Sequence, residues 1–141
     1  MLVEQWMSKK VHTAKPLDSV LHVRGVMIAH RINQLPVVVD GELVGIVTDR
    51  DIRDAFPSVF ESLTPETQKL HKLRGTDPRS IPIELIMASN PLSVGPQDSV
   101  KDASRLMRKE RIGAVPVVHD GHLVGILTRS DLLDALVSLP D

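Results

Sequence analysis

Threonine and aspartate stand three positions apart in Gly45-Ile-Val-Thr-Asp-Arg-Asp51, and again eighty positions later in Gly125-Ile-Leu-Thr-Arg-Ser-Asp131. Each copy places a hydroxyl and a carboxylate one helical turn apart, behind a glycine and two apolar residues. Two kinds of chemistry suit that pair. A hydroxyl at an N-cap with a carboxylate three residues on forms a capping-box-like start to a helix. The same geometry suits a ligand, because a helix N-terminus offers unpaired N–H groups and partial positive charge on which a phosphate can settle beside Thr48 or Thr128. A carboxylate one turn in has only acceptors and matches a vicinal diol such as ribose. The residues alone leave both readings open.

Other reactive groups offer less. His119 and His122 flank Asp120-Gly121 in a turn, and zinc would need further fixed ligands that are not evident, nor do His12, His22, His30 and His71 supply a useful spacing. Nothing marks a strained serine nucleophile or a base with an orienting partner, so catalysis is not expected. Gly45 and Gly125 lie within strands, far from a dinucleotide fingerprint, and read as close backbone approaches or bulges. Met27, Met87 and Met107 read as core fillers.

The elements that position the two threonine–aspartate pairs are themselves duplicated. The offset of eighty holds without a gap, pairing Met7 with Met87, Asp18-Ser19-Val20 with Asp98-Ser99-Val100, Pro36-Val37-Val38 with Pro116-Val117-Val118, and Leu43 to Ile46 with Leu123 to Ile126. Roughly two in five positions from 4 to 56 are identical to their partners, beyond what shared composition produces. In each copy a short amphipathic opening (Val3 to Met7; Ile83 to Met87) leads into a brief extended piece around Val11 to Ala14 or Leu92 to Val94. Asp18 or Asp98 stands where an N-cap belongs, before Val20, Val23 and Met27 or Val100, Ala103 and Met107 at helical spacing. β-Branched runs around Asp40-Gly41 and Asp120-Gly121 signal hairpins. A second helix starts at Thr48 or Thr128, with Ile52, Ala55 and Phe56, or Leu132, Leu136 and Leu139, as its apolar stripe. The expected organisation is repeat 1 at 1–56, a connector at 57–81, and repeat 2 at 82–141. Thr64-Pro65-Glu66 and Gly75 bracket a short helix through Leu73 within the connector.

Composition bounds the function. Apolar residues make up 42% and charged residues 25% of the 141, the balance of a globular domain. A net charge of −1 with interspersed signs gives no field for capturing a polyanion, and the few aromatics (Trp6, Phe56, Phe60) make no stacking platform, so no nucleic acid is expected. The absence of cysteine excludes disulfides and thiolate chemistry. No apolar run approaches the ~20 residues that span a bilayer, and the opening lacks the order of a secretory signal, so no membrane contact and a cytoplasmic location are expected.

The Pro-Val strand, Asp-Gly turn, Leu-Val-Gly-Ile strand and Thr-x-x-Asp helix, in tandem, resemble a pair of cystathionine-β-synthase (CBS) domains, a Bateman module. The resemblance covers almost the whole chain apart from the connector. The opening MLVEQWM is also similar to stand-alone CBS proteins of the acetoin-utilisation type. The resemblance implies an α/β (α+β) fold of two pseudo-symmetric repeats, each strand-helix-strand-strand-helix, packed through their sheets. It further implies a non-catalytic regulatory module, commonly a homodimer, that senses AMP, ADP, ATP or S-adenosylmethionine in clefts between the repeats and requires no cofactor. Carried over by position, Asp51 and Asp131 take ribose hydroxyls and Thr48 and Thr128 take phosphate or the ribose edge. Asp131 would work with Val11, His12, Thr13, Ile32, Asn33 and Gln34; Asp51 would face Leu92, Ser93, Ile112, Gly113 and Ala114.

Local charge separates the two. Arg129, at the first helical position, suits phosphate, whereas Asp49 at the matching position repels it. Asn33 and Gln34 add donors where Gly113 and Ala114 have none, favouring the Asp131 site. The alternative is a structural pair in which Thr-x-x-Asp only caps helices and the surface serves dimerisation or recruits a protein; the apolar stripes Val23/Val26 and Leu132/Leu136 are the surface expected to be buried in a dimer.

Overall fold

A computed structural model describes residues 1–56, 77 and 79–141 of the chain. In chain order the described elements are α1 (Val3–Trp6), α2 (Val20–His30), β1 (Gln34–Val39), β2 (Glu42–Thr48), α3 (Asp49–Ala55), a 3-10 turn (Ile83–Leu85), β3 (Ala88–Ser89), α4 (Val100–Glu110), β4 (Ala114–His119), β5 (His122–Thr128) and α5 (Arg129–Val137). The mixture of helices and antiparallel strands, written twice, is the expected class. The short helix expected from Thr64 to Leu73 lies outside the described residues.

The chain divides into two compact units: a carboxy unit of Met1–His12, Asp40–Leu43 and Pro91–Asp141, and a central unit of Thr13–Val39 and Val44–Asn90. These cut across the sequence repeats, because each repeat's opening segment docks on the body of the other. In the carboxy unit the Val3 N–H donates to the Asp98 carbonyl at 2.9 Å and that of Glu4 to Pro96 at 3.0 Å. The central unit repeats the pattern, with Ile83 donating to Asp18 at 2.7 Å and Glu84 to Pro16 at 3.0 Å. Val3 and Ile83 are wholly buried where they dock. Position eighty apart in sequence thus means the same place in a different body.

Each unit has its own core. In the central unit Val20, Val23 and Met27 of α2 meet Leu35, Val37, Val47, Ile52, Phe56 and Ile83; in the carboxy unit Ala103 and Met107 of α4 meet Val3, Val94, Val115, Val117 and Leu127. The helical spacing of three and four residues puts these side chains on one stripe, and burying a Val- or Leu-sized side chain stabilises by about 1.5–3 kcal/mol. Val23 is fully buried and so presents nothing to a dimer partner, contrary to expectation. On α5 the buried residue is Ala135, while Leu136 and Leu139 of the expected stripe stay exposed.

The helices start and stop for local reasons. Ser19 and Ser99, not the aspartates before them, are the N-caps: each hydroxyl accepts at 3.0 Å, from His22 N and Asp102 N. Asp18 and Asp98 instead close the preceding turn, Oδ2 accepting from Lys15 N at 2.9 Å and Gly95 N at 2.8 Å. Aspartate is a good cap in general, but here the turn takes the carboxylate one residue early. Both helices end with an arginine in the left-handed region, Arg31 (φ 53°) and Arg111 (φ 56°), after which Ile32 N donates to Met27 O and Ile112 N to Met107 O, each at 3.0 Å. That is a Schellman stop with an arginine where glycine is most at ease.

The opening strands of the repeats shrink to single parallel bridges, Ala14 with Val37 and Val94 with Val117. The hairpin turns form as read, with Asp40 and Gly41 at φ 50° and 80° and Asp120 and Gly121 at the same angles. In the carboxy unit β4 and β5 pair from Ala114 with Thr128 to His119 with His122, with a register shift at Val117/Val118, and Glu42 at the first hairpin's tip pairs with His122. In the central unit β2 lies between β1 and β3, Gly45 opposite Ser89 and Ile46 opposite Ala88. Gly45 and Gly125 are close approaches: a Cβ on Gly45 would collide with the Met87 thioether, and one on Gly125 with that of Met7.

Candidate functional site

The strands β2 and β5 deliver their last residues, Thr48 and Thr128, to the first turn of α3 and α5. Both threonines are extended N-caps, and both helices carry a full capping box. In the central unit Thr48 N donates to Asp51 Oδ2 at 2.9 Å and Asp51 N donates back to Thr48 Oγ1 at 3.1 Å. In the carboxy unit Asp131 Oδ2 accepts from Thr128 N at 2.7 Å and also from the Thr128 hydroxyl at 3.0 Å, while Asp131 N lies 3.4 Å from Thr128 Oγ1.

The cap uses Oδ2 in both copies, and among the described residues no bond is recorded to Oδ1 of either aspartate. Asp51 and Asp131 are half-buried, so that second oxygen has lost some water and still has acceptor capacity. Capping and ligand binding are therefore compatible in one carboxylate: one oxygen fixes the side chain's direction and the other is presented.

Each helix start is tied to the loop that precedes its own hairpin. Asp49 N donates to Asn33 O at 2.8 Å, and Arg129 N donates to Gly113 O at 3.1 Å. The central unit thereby groups Ile32, Asn33 and Gln34 with Thr48 and Asp51, and also contains Thr13; the carboxy unit groups Ile112, Gly113 and Ala114 with Thr128, Arg129 and Asp131, and contains Val11, His12, Leu92 and Ser93. Of the residues expected beside Asp131, Val11 and His12 share its unit, while Thr13 and Ile32 to Gln34 belong to the unit of Asp51. Those expected beside Asp51 all belong to the carboxy unit.

Next to each helix start is a pocket of about 360 Å³. In the carboxy unit it is lined by Ser104, Met107, Arg108, Arg111, Ile112, Arg129 and Leu132, and in the central unit by Arg24, Met27, Ile28, Arg31, Ile32, Asn33, Asp49 and Arg53. The Arg129 guanidinium lies over Gly113, its carbon 3.7 Å from where a Cβ would be. Asp49 instead pairs with Arg53 at 3.6 Å. Arg108 and Arg111 escaped the sequence reading because they looked like ordinary cations at a helix end; the available signal was that Ile28 becomes Arg108 between otherwise similar copies.

The hairpin histidines are occupied with their own turn: His119 Nε2 lies 3.3 Å from the Asp120 carboxylate and His122 Nδ1 3.1 Å from the Asp120 carbonyl oxygen. Among the described residues no three histidine or acidic side chains converge as a metal site. No described helix is long and apolar enough to cross a membrane.

The model of the CBS domain matches residues 3–58 and 83–138. A CBS domain-containing protein of Dictyostelium discoideum is 41% identical over 99% of this chain and 93% of its own length. Among solved structures, Arabidopsis thaliana CBSX2 in complex with AMP superposes with a TM-score of 0.77 at 30% identity, covering 96% of both chains. The CBS domain pair of MJ0100, in complex with 5-methylthioadenosine and S-adenosyl-L-methionine, gives 0.76 at 30% identity over 97% of this chain and 96% of that one. A Vibrio cholerae protein named for acetoin utilization (AcuB) gives 0.76 at 29% identity over 97% and 90%.

Proposed function

The chain belongs to the CBS domain family, as a tandem pair, and from that premise we propose that it is a non-catalytic regulatory module that binds an adenosine-containing ligand at its Thr-x-x-Asp helix starts. The observation that carries the reading is the division of labour in Asp131, whose Oδ2 holds the cap while Oδ1 remains to accept from a ribose diol. Relatives with AMP or S-adenosylmethionine bound support the ligand class. Thr128, Arg129 and Asp131 form the stronger site, Thr48 and Asp51 the weaker one, and the loop residues named above supply the base's surroundings. Binding regulates only if the ligand prefers one arrangement of the protein over another.

Calorimetric titration of the intact protein with AMP, ADP, ATP and S-adenosylmethionine tests this. Asp131→Asn keeps an oxygen for the cap and replaces the other with an NH2, which cannot accept from a hydroxyl. Loss of binding by tenfold or so with only a small loss of stability is the expected result; no heat from any of the four ligands at micromolar concentration sinks the proposal.

A second role follows from α5, whose Leu133, Leu136 and Val137 are 61%, 62% and 83% exposed. An apolar helix face of this kind marks a protein contact. We assign it to homodimerisation, the module's means of passing occupancy to a target.

A further inference from the structure

The two 360 Å³ pockets come from one duplicated sequence, so their differences isolate what each does. Both share a methionine floor, an isoleucine and a left-handed arginine: Met107, Ile112 and Arg111, against Met27, Ile32 and Arg31. The carboxy pocket then has Arg108 where the central one has Ile28, and Arg129 where it has Asp49. Three guanidinium groups line the carboxy pocket with no carboxylate among its walls, and among the described residues no hydrogen bond or ion pair is recorded to any of the three side chains. The other pocket also has three guanidinium groups, Arg24, Arg31 and Arg53, but it holds a carboxylate, Asp49, paired with Arg53.

Arg129 and Arg111 stand at locally unfavourable positions, whereas Arg108 lies in the last turn of α4, where the dipole suits a cation. Arg129 begins a helix, where the dipole opposes a cation. Arg111 adopts φ 56°, a conformation glycine enters at less cost. Arg108 and Arg111 lie three residues apart and repel. The left-handed arginine recurs as Arg31 in the other pocket, so what is peculiar to this one is Arg129 in place of Asp49, against the dipole, joined by Arg108 in place of Ile28. Their forked donors match phosphate oxygens, and the volume is at the low end for ligand pockets, room for a phosphate chain rather than a whole nucleotide.

We propose that the carboxy pocket of Arg108, Arg111 and Arg129 receives the di- or triphosphate tail of the ligand, so that this site prefers ATP and ADP to AMP and rejects S-adenosylmethionine, whose sulfonium and ammonium are cationic. This rests on the nucleotide reading above and gives it a direction: the sensor reads phosphorylation state.

The test is calorimetry on the full chain with ATP, AMP, S-adenosylmethionine and tripolyphosphate alone, using wild type, the double variant Arg108→Gln/Arg129→Gln, and Arg105→Gln as a control on the exposed side of α4. All three substituted side chains are exposed, so folding is retained, and thermal melting verifies it. ATP should bind wild type about tenfold or more tighter than AMP. The double variant should lose that preference, binding ATP no tighter than AMP, and Arg105→Gln should behave as wild type. Tripolyphosphate should compete with ATP, more weakly as salt rises. Equal affinity for ATP and AMP in wild type, or an ATP preference that survives in the double variant, overturns the polyphosphate site and leaves nucleotide binding standing. Tripolyphosphate binding lost in the double variant, with no adenine compound bound, keeps the anion pocket and removes the nucleotide reading; no binding by any probe removes both.

Discussion

Asp131 grips Thr128 through one oxygen, taking its backbone N–H at 2.7 Å and its hydroxyl at 3.0 Å on Oδ2 alone. The pair is a genuine helix cap, and the cap is what aims the remaining oxygen. A side chain held this way loses little further freedom when a ligand arrives, so less of the binding energy goes into ordering it.

Removing the carboxylate should therefore cost stability as well as binding. Asp131→Ala leaves Thr128 N without its acceptor and should destabilise the protein by about 0.5–2 kcal/mol, whereas Asp131→Asn should cost less than half as much. Urea denaturation midpoints of the two variants separate capping from recognition; equal losses would mean that the amide cannot replace the cap.

Gly125 tests the exchange of opening segments. Its missing Cβ leaves room for the Met7 thioether, with the Ser8 carbonyl 3.0 Å from the same point. Gly125→Ala should destabilise by about 1–3 kcal/mol. Adding Met7→Ala should recover part of that cost, giving a favourable coupling in a double-mutant cycle of denaturation midpoints. Strict additivity would show that Met7 does not occupy this place in solution.

The apolar face of α5 predicts an oligomeric change without a folding change. Leu133→Asp with Leu136→Asp alters two exposed side chains and should convert a dimer into a monomer in sedimentation equilibrium, with the circular dichroism spectrum retained. A wild type already monomeric at tens of micromolar would refute the dimer.

Much of the fold was legible in single residues. The Asp-Gly turns required φ above zero at two successive positions, and the structure has them at both hairpins. Val20, Val23 and Met27 were readable as core because helical spacing leaves them one face. The cap of α2 was displaced by one residue because Asp18 and Ser19 are both good caps, and the choice fell to whichever the preceding turn needed. On α5 the stripe was misplaced toward Leu136 because leucines were counted as buried wherever their spacing allowed, whereas the small Ala135 is what fits against the core.

By itself the sequence determined the duplication, the helix and hairpin boundaries within a residue or two, and the Thr-x-x-Asp pairs, since all of these depend on periodicity, turn chemistry and caps acting over a few residues. Only the tertiary structure decided that each opening segment docks on the other repeat, that Asp131 spends one oxygen and keeps one, and that Arg108 and Arg111 join Arg129 around a pocket. Those facts depend on which distant surfaces exclude water together and on where a folded backbone points its side chains, and neither is written into local spacing.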